Sequence, residues 1–213
     1  MGSDYDLDRL LAFKGKFAIR ETCIKSIIAD FSSHGHLTAT LNLARKHDIK
    51  PEDIASITIT TSKRCAEHTG DPVKKYPKNK ETADHSSYYL TAIAIIDREI
   101  GPDQFTPEKY SDPRVRELID KVTLKGDPSL DRARPAGISE IITKNGQKYS
   151  LRVDYPRGHA RNPMTDEEVV DKFKSMASRH MEEEHMDRLI NTVFELDKLD
   201  DVGKLAELMT FKD

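Results

Sequence analysis

The sequence predicts an α+β fold for the body of the chain, on three observations. Residues 54–62 alternate between apolar and hydroxylated side chains, Asn145-Gly146 joins two alternating runs, and apolar residues recur at helical spacing elsewhere. The chain has 213 residues, 37% hydrophobic and 33% charged. That length buries a core without disulfide or metal support. Net charge is −3, from 34 basic and 37 acidic residues, so no sequence-wide basic excess points to nucleic acid.

The elements follow in order. DLDRLLAF (6–13) reads as a short amphipathic helix ended by Gly15. FAIRETCIKSII (17–28), rich in β-branched residues, reads as a strand. Asp30 to Gly35 is a polar break, after which HLTATLNLARKH (36–47) carries Leu37, Leu41 and Ala44 at helical spacing. Pro51-Glu52-Asp53 is a turn, and in the strand 54–62 Ile57 and Ile59 alternate with Ser56, Thr58 and Thr60. Residues 70–80 form a loop rich in Pro, Gly and Lys; Lys74, Lys75, Lys78 and Lys80 read as a solvated basic loop. Thr82 or Asp84 caps the apolar helix 85–100, which Gly101-Pro102 stops. Residues 112–122 form another short helix with Pro113 in its first turn, and VTLKGD begins a strand. Residues 137–155 make a hairpin turning at Asn145-Gly146. Thr165 and Glu168 set a capping box, and helices follow over 165–180, 182–197 and 200–211.

Residues 16–156 thus read as an α+β unit with about five strands. Residues 164–213 form a helical tail, and 1–15 are a remnant of a helical domain into which the α+β unit is inserted. No apolar run approaches the ~18 residues that span a bilayer, and no signal-peptide core is present. Met1-Gly2-Ser3 reads as an expression scar rather than a myristoylation signal. Cys23 and Cys65 lie outside any CxxC and suit a reducing compartment, cytoplasm or an organelle matrix.

Three groups of residues have the chemistry of a site. His34 and His36, with Lys25 and Asp30 nearby, sit where a strand end feeds a helix start, a place where free N–H groups and the dipole favour an anion. His85, between Asp84 and Ser86, opens the apolar helix one turn before Tyr88 and Tyr89; the dipole there keeps imidazole neutral, which suits a donor or base. Arg157, His159 and Arg161 lie in the loop before the tail and suit a carboxylate. Each group also has a plain reading, as surface loop, helix cap or solvated connection. His180 and His185 stand five apart, on different faces of a helix, and no metal site is expected there. Glycine-rich phosphate loops are absent from the sequence.

The order of segments is itself a pattern. Lys25 leads to Ala29-Asp30-Phe31 and a His-x-Thr-Ala run, then IASITITT and Thr69-Gly70. Ala83-Asp84-His85-Ser86-x-x-Tyr89 follows, then Asp112-Pro113-Arg114-Val115, the Asn145-Gly146 hairpin, Val153-Asp154-Tyr155-Pro156-x-Gly158-His159, and Asn162-Pro163-Met164-Thr165. Over roughly residues 8–210 this resembles the C-terminal part of the MmgE/PrpD family, which includes 2-methylcitrate dehydratase, cis-aconitate decarboxylase and iminodisuccinate epimerase. The YP-x-GH loop and the Ala-Asp-Phe run are more similar to the 2-methylcitrate dehydratase branch.

The resemblance implies a small α+β domain with flanking C-terminal helices, a large helical domain missing from this chain, and a site in the cleft between the two. It implies cofactor-independent, metal-free lyase chemistry on small polycarboxylates, with a proton abstracted next to a carboxylate. It marks His85, His34 and Tyr89 as catalytic, and Lys25, Asp30, His36, Arg157 and His159 as substrate-binding. Either His34 or His36 matches the family histidine after Asp30. Ile28 stands where members often carry proline, and Asp30 where some carry histidine. It implies as partner a helical protein supplying the other half, or self-association. The face carrying Val169, Phe173, Met176, Leu189, Val193, Phe194, Leu196 and Leu205 would otherwise form an apolar patch. A non-catalytic remnant or interaction module is the competing expectation, with a decarboxylase or epimerase relative a third.

Overall fold

The structure, a computed structural model, describes residues 17–132 and 135–210. The helix expected over 6–13, the remnant assigned to 1–15 and the last residue of the helix expected over 200–211 lie outside the described residues. Two compact units result, Met1–Pro163 and Met164–Asp213.

The first unit is built on a mixed four-stranded sheet in the order β2-β1-β3-β4. Helix α1 (His34–Lys46) precedes β1 (Ile54–Thr61), and α2 (Lys63–Thr69) follows it directly. The chain then forms α3 (Lys80–Ala83), α4 (Ser87–Ile96), α5 (Pro107–Ser111) and α6 (Pro113–Asp120) before β2 (Val122–Gly126) pairs parallel to β1. A parallel pair needs such a long crossover. Strands β3 (Gly137–Thr143) and β4 (Lys148–Val153) form the expected hairpin, antiparallel to β1 through β3. Its turn places Gly146 at φ +85, the region that Asn-Gly turns require of glycine.

The alternation read in β1 decides its faces. Ile57, Ile59 and Thr61 are buried, while Ser56, Thr58 and Thr60 are half-exposed. In β3 Gly137, Ser139, Ile141 and Thr143 are buried. One face of the sheet is therefore covered and the other wetter, as in many antiparallel sheets. Helix α1 packs on β3 and β4, and α4 packs on α1, α6 and β2. Leu90, Ala92, Ile93 and Ala94 of α4 are fully buried, which makes α4 the central helix its composition suggests.

Three readings are corrected. Residues 17–28 are not a strand: Ala18–Glu21 form a 3-10 turn and 22–30 an irregular segment. The apolar positions there do not keep a period of two, since Phe17 and Ile19 are odd and Ile24 and Ile28 even. Ile19 and Ile24 are correspondingly exposed, and the described sheet has four strands rather than five. The cap of α4 is Ser86, whose Oγ accepts from Tyr89 N at 3.3 Å, and not Thr82 or Asp84. The same helix ends at Ile96, before Gly101-Pro102, because Arg98 turns left-handed at φ 57. Helix α2 had no counterpart in the sequence reading; Ser62 caps it by accepting from Cys65 N at 3.2 Å.

The second unit holds α7 (Asp166–Ala177), α8 (Glu183–Phe194) and α9 (Gly203–Leu208). The capping box of α7 is present as read: Thr165 Oγ1 accepts from Glu168 N at 3.2 Å, and Thr165 N donates to Glu168 Oε2 at 2.8 Å. Met176, Val193, Phe194 and Leu196 are exposed, while Leu189, expected in the same patch, is buried.

Candidate active site

The segment 22–30 enters the first unit through Asp30. Its backbone N–H donates to the Asp84 carbonyl at 3.0 Å, which fastens it to the turn before α4. Its Oδ1 accepts from Ser32 N at 2.9 Å and from the Ser32 hydroxyl, capping the turn Phe31–Ser33 that runs into α1. Across from it, α2 presents Arg64 and His68 one turn apart on one face. Asp30, Phe31, Ser32, Arg64, Cys65 and His68 line a cavity of about 380 Å³. That size lies within the ~300–1,000 Å³ range of small-ligand sites. A larger cavity, about 620 Å³, lies at the end of α1 against β4 and gathers Arg45, Lys46 and His47 without a carboxylate.

His85 stands beside Asp30 and His68, with one ligand atom of each within 4.8 Å of the others. The rings of His68 and His85 meet edge-on at 5.8 Å. His85 Nδ1 lies 2.5 Å from Asp84 Oδ1 and 3.0 Å from the Glu81 carbonyl. Both partners only accept, so Nδ1 carries a proton and donates; in the neutral ring the lone pair is then on Nε2. Asp84 is held in turn by Lys80 Nζ, which donates to its Oδ2 at 3.1 Å. Burial pushes the Asp30 carboxyl up, but the Ser32 bonds and the imidazoles of His68 and His85 outweigh it and hold it below the usual carboxylate range. Asp30 is therefore an anion at neutral pH, next to His85 and His68.

Behind the cavity runs a buried polar chain. Cys65 Sγ and Thr69 Oγ1 are 3.4 Å apart, Thr69 Oγ1 and Ser87 Oγ 2.7 Å, Ser33 Oγ and Ser87 Oγ 3.2 Å, and His36 Nε2 and Ser87 Oγ 3.0 Å. It joins the starts of α1 and α4 to α2. Thr40 extends it to the sheet by donating to Ser139 Oγ at 2.9 Å. Burial, then neighbouring His34, pushes the His36 imidazole down to about 3. Among the described residues its Nδ1 has no hydrogen-bond partner, so a second proton there would meet no acceptor among them.

This gives a pH prediction with a definite sign. The unfolded imidazole titrates near 6.5 and the folded one near 3. Stability from this group is complete above about pH 6.5 and is lost as pH falls toward 3, by at most about 1.4 kcal/mol per pH unit. His36→Gln should flatten the dependence of urea midpoints on pH in that window. An unchanged slope would show that His36 does not govern it.

The other expected site residues fall in two places. Ile24 N donates to the Gly158 carbonyl at 2.8 Å, so the segment carrying exposed Lys25 runs beside the loop 155–162. Arg157 Nη1 donates to Asn162 Oδ1 at 3.0 Å, and His159 Nδ1 accepts from Arg161 N at 3.0 Å. Burial and the Arg161 guanidinium push the His159 imidazole down. The other place is the interior. His34 is fully buried, its ring 5.1 Å from Phe31. Tyr89 is fully buried, its hydroxyl donating to the Gln104 carbonyl and its ring 5.6 Å from Tyr110. Burial, with Tyr110 and Asp97, pushes that phenol far up, so it stays protonated. Lys25 ends no strand, contrary to expectation. The structure thus joins Asp30 to His85 and adds Arg64 and His68, which the sequence reading passed over. Their signal was present: Ser62 as a cap, with Arg64 and His68 four apart after it.

Comparison with known proteins adds the following. The family model described as the MmgE/PrpD C-terminal domain matches residues 29–196. Cis-aconitate decarboxylase of Mus musculus is 30% identical over 138 residues, 64% of this chain and 28% of that protein. The 2-methylcitrate dehydratase-like protein oryR of Aspergillus oryzae is 27% identical over 174 residues, 74% of this chain and 33% of its own length. The mitochondrial 2-methylcitrate dehydratase of Yarrowia lipolytica is 32% identical over 117 residues, 51% of this chain and 22% of its own. The chain therefore spans about a third or less of these relatives.

Proposed function

Because the chain belongs to the MmgE/PrpD family, matching its C-terminal domain over residues 29–196, we propose that it is the C-terminal half of a cofactor-independent lyase of the 2-methylcitrate dehydratase type. Its substrate is a small polycarboxylate, and a helical half, as a second chain or part of a longer one, completes the cleft. The observation that carries this reading is the His85 ring, whose Nδ1–H is held by Asp84 and which stands beside Asp30, a residue of the cavity that Arg64 lines.

The chemistry follows from the lone pair on Nε2. His85 Nε2 takes a proton from the carbon next to a substrate carboxylate. The C–H electrons form the new double bond, the neighbouring C–O bond breaks, and the hydroxyl leaves as water with a proton from the helical half. Lys25, Arg64 and Arg157 supply cations for the carboxylates, and Arg can grip one with two bonds. His36 positions the segment behind the cavity through Ser87. His34 and Tyr89 act from the interior, and His159 shapes the Arg157 loop. Epimerisation would draw on the same lone pair, whereas decarboxylation would need the protonated ring, to give a proton to the carbon that loses CO2. The proposed compartment is the cytoplasm; among the described residues no helix is long and apolar enough to cross a membrane.

A second reading, an interaction module without turnover, draws on the exposure of Met176, Val193, Phe194 and Leu196 in the second unit. In the first reading the helical half covers these residues. The experiment is a panel of 2-methylcitrate, citrate and cis-aconitate, assayed with the helical half supplied. Turnover of one panel member is expected, with Arg64→Ala raising its KM about tenfold or more. No turnover of any member, with a stable complex formed, would leave the interaction module.

A further inference from the structure

We propose that Asp30 is the residue that selects a hydroxy acid: its Oδ2 accepts a hydrogen bond from the substrate hydroxyl that leaves as water. This role rests on the lyase reading above and narrows its substrate, to a polycarboxylate with a hydroxyl beside the carbon that loses a proton. Asp30 and Arg64 line the same cavity. Arg64 suits a carboxylate, whereas Asp30, held as an anion, repels one. A carboxylate only accepts, so what it takes from a ligand is a donor, and the neutral donor of such an acid is its hydroxyl.

Two further observations support the contact. Both Ser32 bonds that cap the turn Phe31–Ser33 fall on Oδ1, and among the described residues no hydrogen bond falls on Oδ2. An oxygen of Asp30 also lies within 4.8 Å of a ring nitrogen of His85. That separation lets one group meet a hydroxyl on one carbon while the other meets the hydrogen on the next. As the C–O bond breaks, its electrons go to the oxygen, which takes a proton from the helical half. The hydroxyl's own proton leaves with the water, and Asp30 remains a carboxylate. The oxygen gains a proton as it departs, so the anion beside it steadies that departure. An acid without the hydroxyl would leave the half-buried carboxylate facing no donor.

The test compares citrate with tricarballylate, which is citrate with hydrogen in place of the hydroxyl. Each is titrated calorimetrically into the chain completed by the helical half. Citrate is expected to bind about tenfold or more tightly, the usual share of one hydrogen bond to a charged group. Asp30→Asn keeps the cap, because its amide oxygen still accepts from Ser32 N, and puts an NH2 donor where Oδ2 stood. In that variant the preference for citrate should disappear. Equal binding of the two acids by the unaltered protein, binding of neither, or a preference that Asp30→Asn leaves in place overturns the assignment. The readout is binding without turnover, so the two ideas fail separately. Turnover of a panel member with no preference for citrate removes the role of Asp30 alone. A preference that depends on Asp30, without turnover, keeps the hydroxyl contact while the lyase reading falls.

Discussion

Gly35→Ala is expected to destabilise the first unit by about 3 kcal/mol or more, at the upper end of overpacking effects. A Cβ on Gly35 would stand 2.1 Å from the Pro135 carbonyl oxygen, 2.6 Å from Gly137 N and 2.8 Å from the Ala136 carbonyl carbon. The reverse contact is as tight, with a Cβ on Gly137 meeting His36 N at 2.5 Å. These are backbone atoms, and they cannot rotate away as a side chain can. Relief requires the first turn of α1 to lift from the start of β3. That motion would break the Thr40–Ser139 bond and pull His36 from Ser87. A domain's whole stability is about 5–15 kcal/mol, so the loss is large. The measurement is a urea midpoint at unchanged slope. Gly146→Ala is the reference, since nothing lies within 4 Å of its Cβ and only the positive φ is strained, at about 1 kcal/mol. If Gly35→Ala costs no more than Gly146→Ala, the contact of α1 with β3 is not as close as described.

His85→Ala, in protein completed by the helical half, is expected to lower kcat about 10²–10⁴-fold, the usual range for a lost general base. That corresponds to about 3–5 kcal/mol of transition-state stabilisation. KM should move little, because the cations that hold carboxylates remain. Asp84→Asn should cost less, since the Glu81 carbonyl still takes the Nδ1 proton at 3.0 Å. A kcat within threefold of the unaltered protein for His85→Ala would remove His85 as the base. A rise in KM alone would assign it to binding.

Much of the architecture was legible because local pattern and tertiary demand agreed. The period of two in β1, Asn145-Gly146 in the hairpin and Thr165 with Glu168 at α7 each state a local geometry that packing then kept. The stretch 17–28 was misread because β-branched content resembles a strand, while a strand also needs a constant period and a ladder partner. It is tied instead to the later loop, by Ile24 N donating to the Gly158 carbonyl. Helix α2 was passed over because a seven-residue helix between polar loops carries too few apolar positions to show a period.

The site divides in the same way. The sequence by itself determined which residue types were at hand: the acid at 30, the histidine at 85 with an acid beside it, and the cations at 25 and 157. It also determined that α4 would be buried, because nearly every side chain from Leu90 to Ile95 is apolar. Only the tertiary structure decided that Asp30 meets His68 and His85 across 38 and 55 residues of chain, with a backbone bond from Asp30 to Asp84. It alone placed Tyr89 and His34 inside and drew Arg64 to the cavity. The reason is physical: periodicity reports which way a side chain faces its own element, whereas a site is made by contacts distant in sequence, which only the packing of whole elements brings within bonding distance.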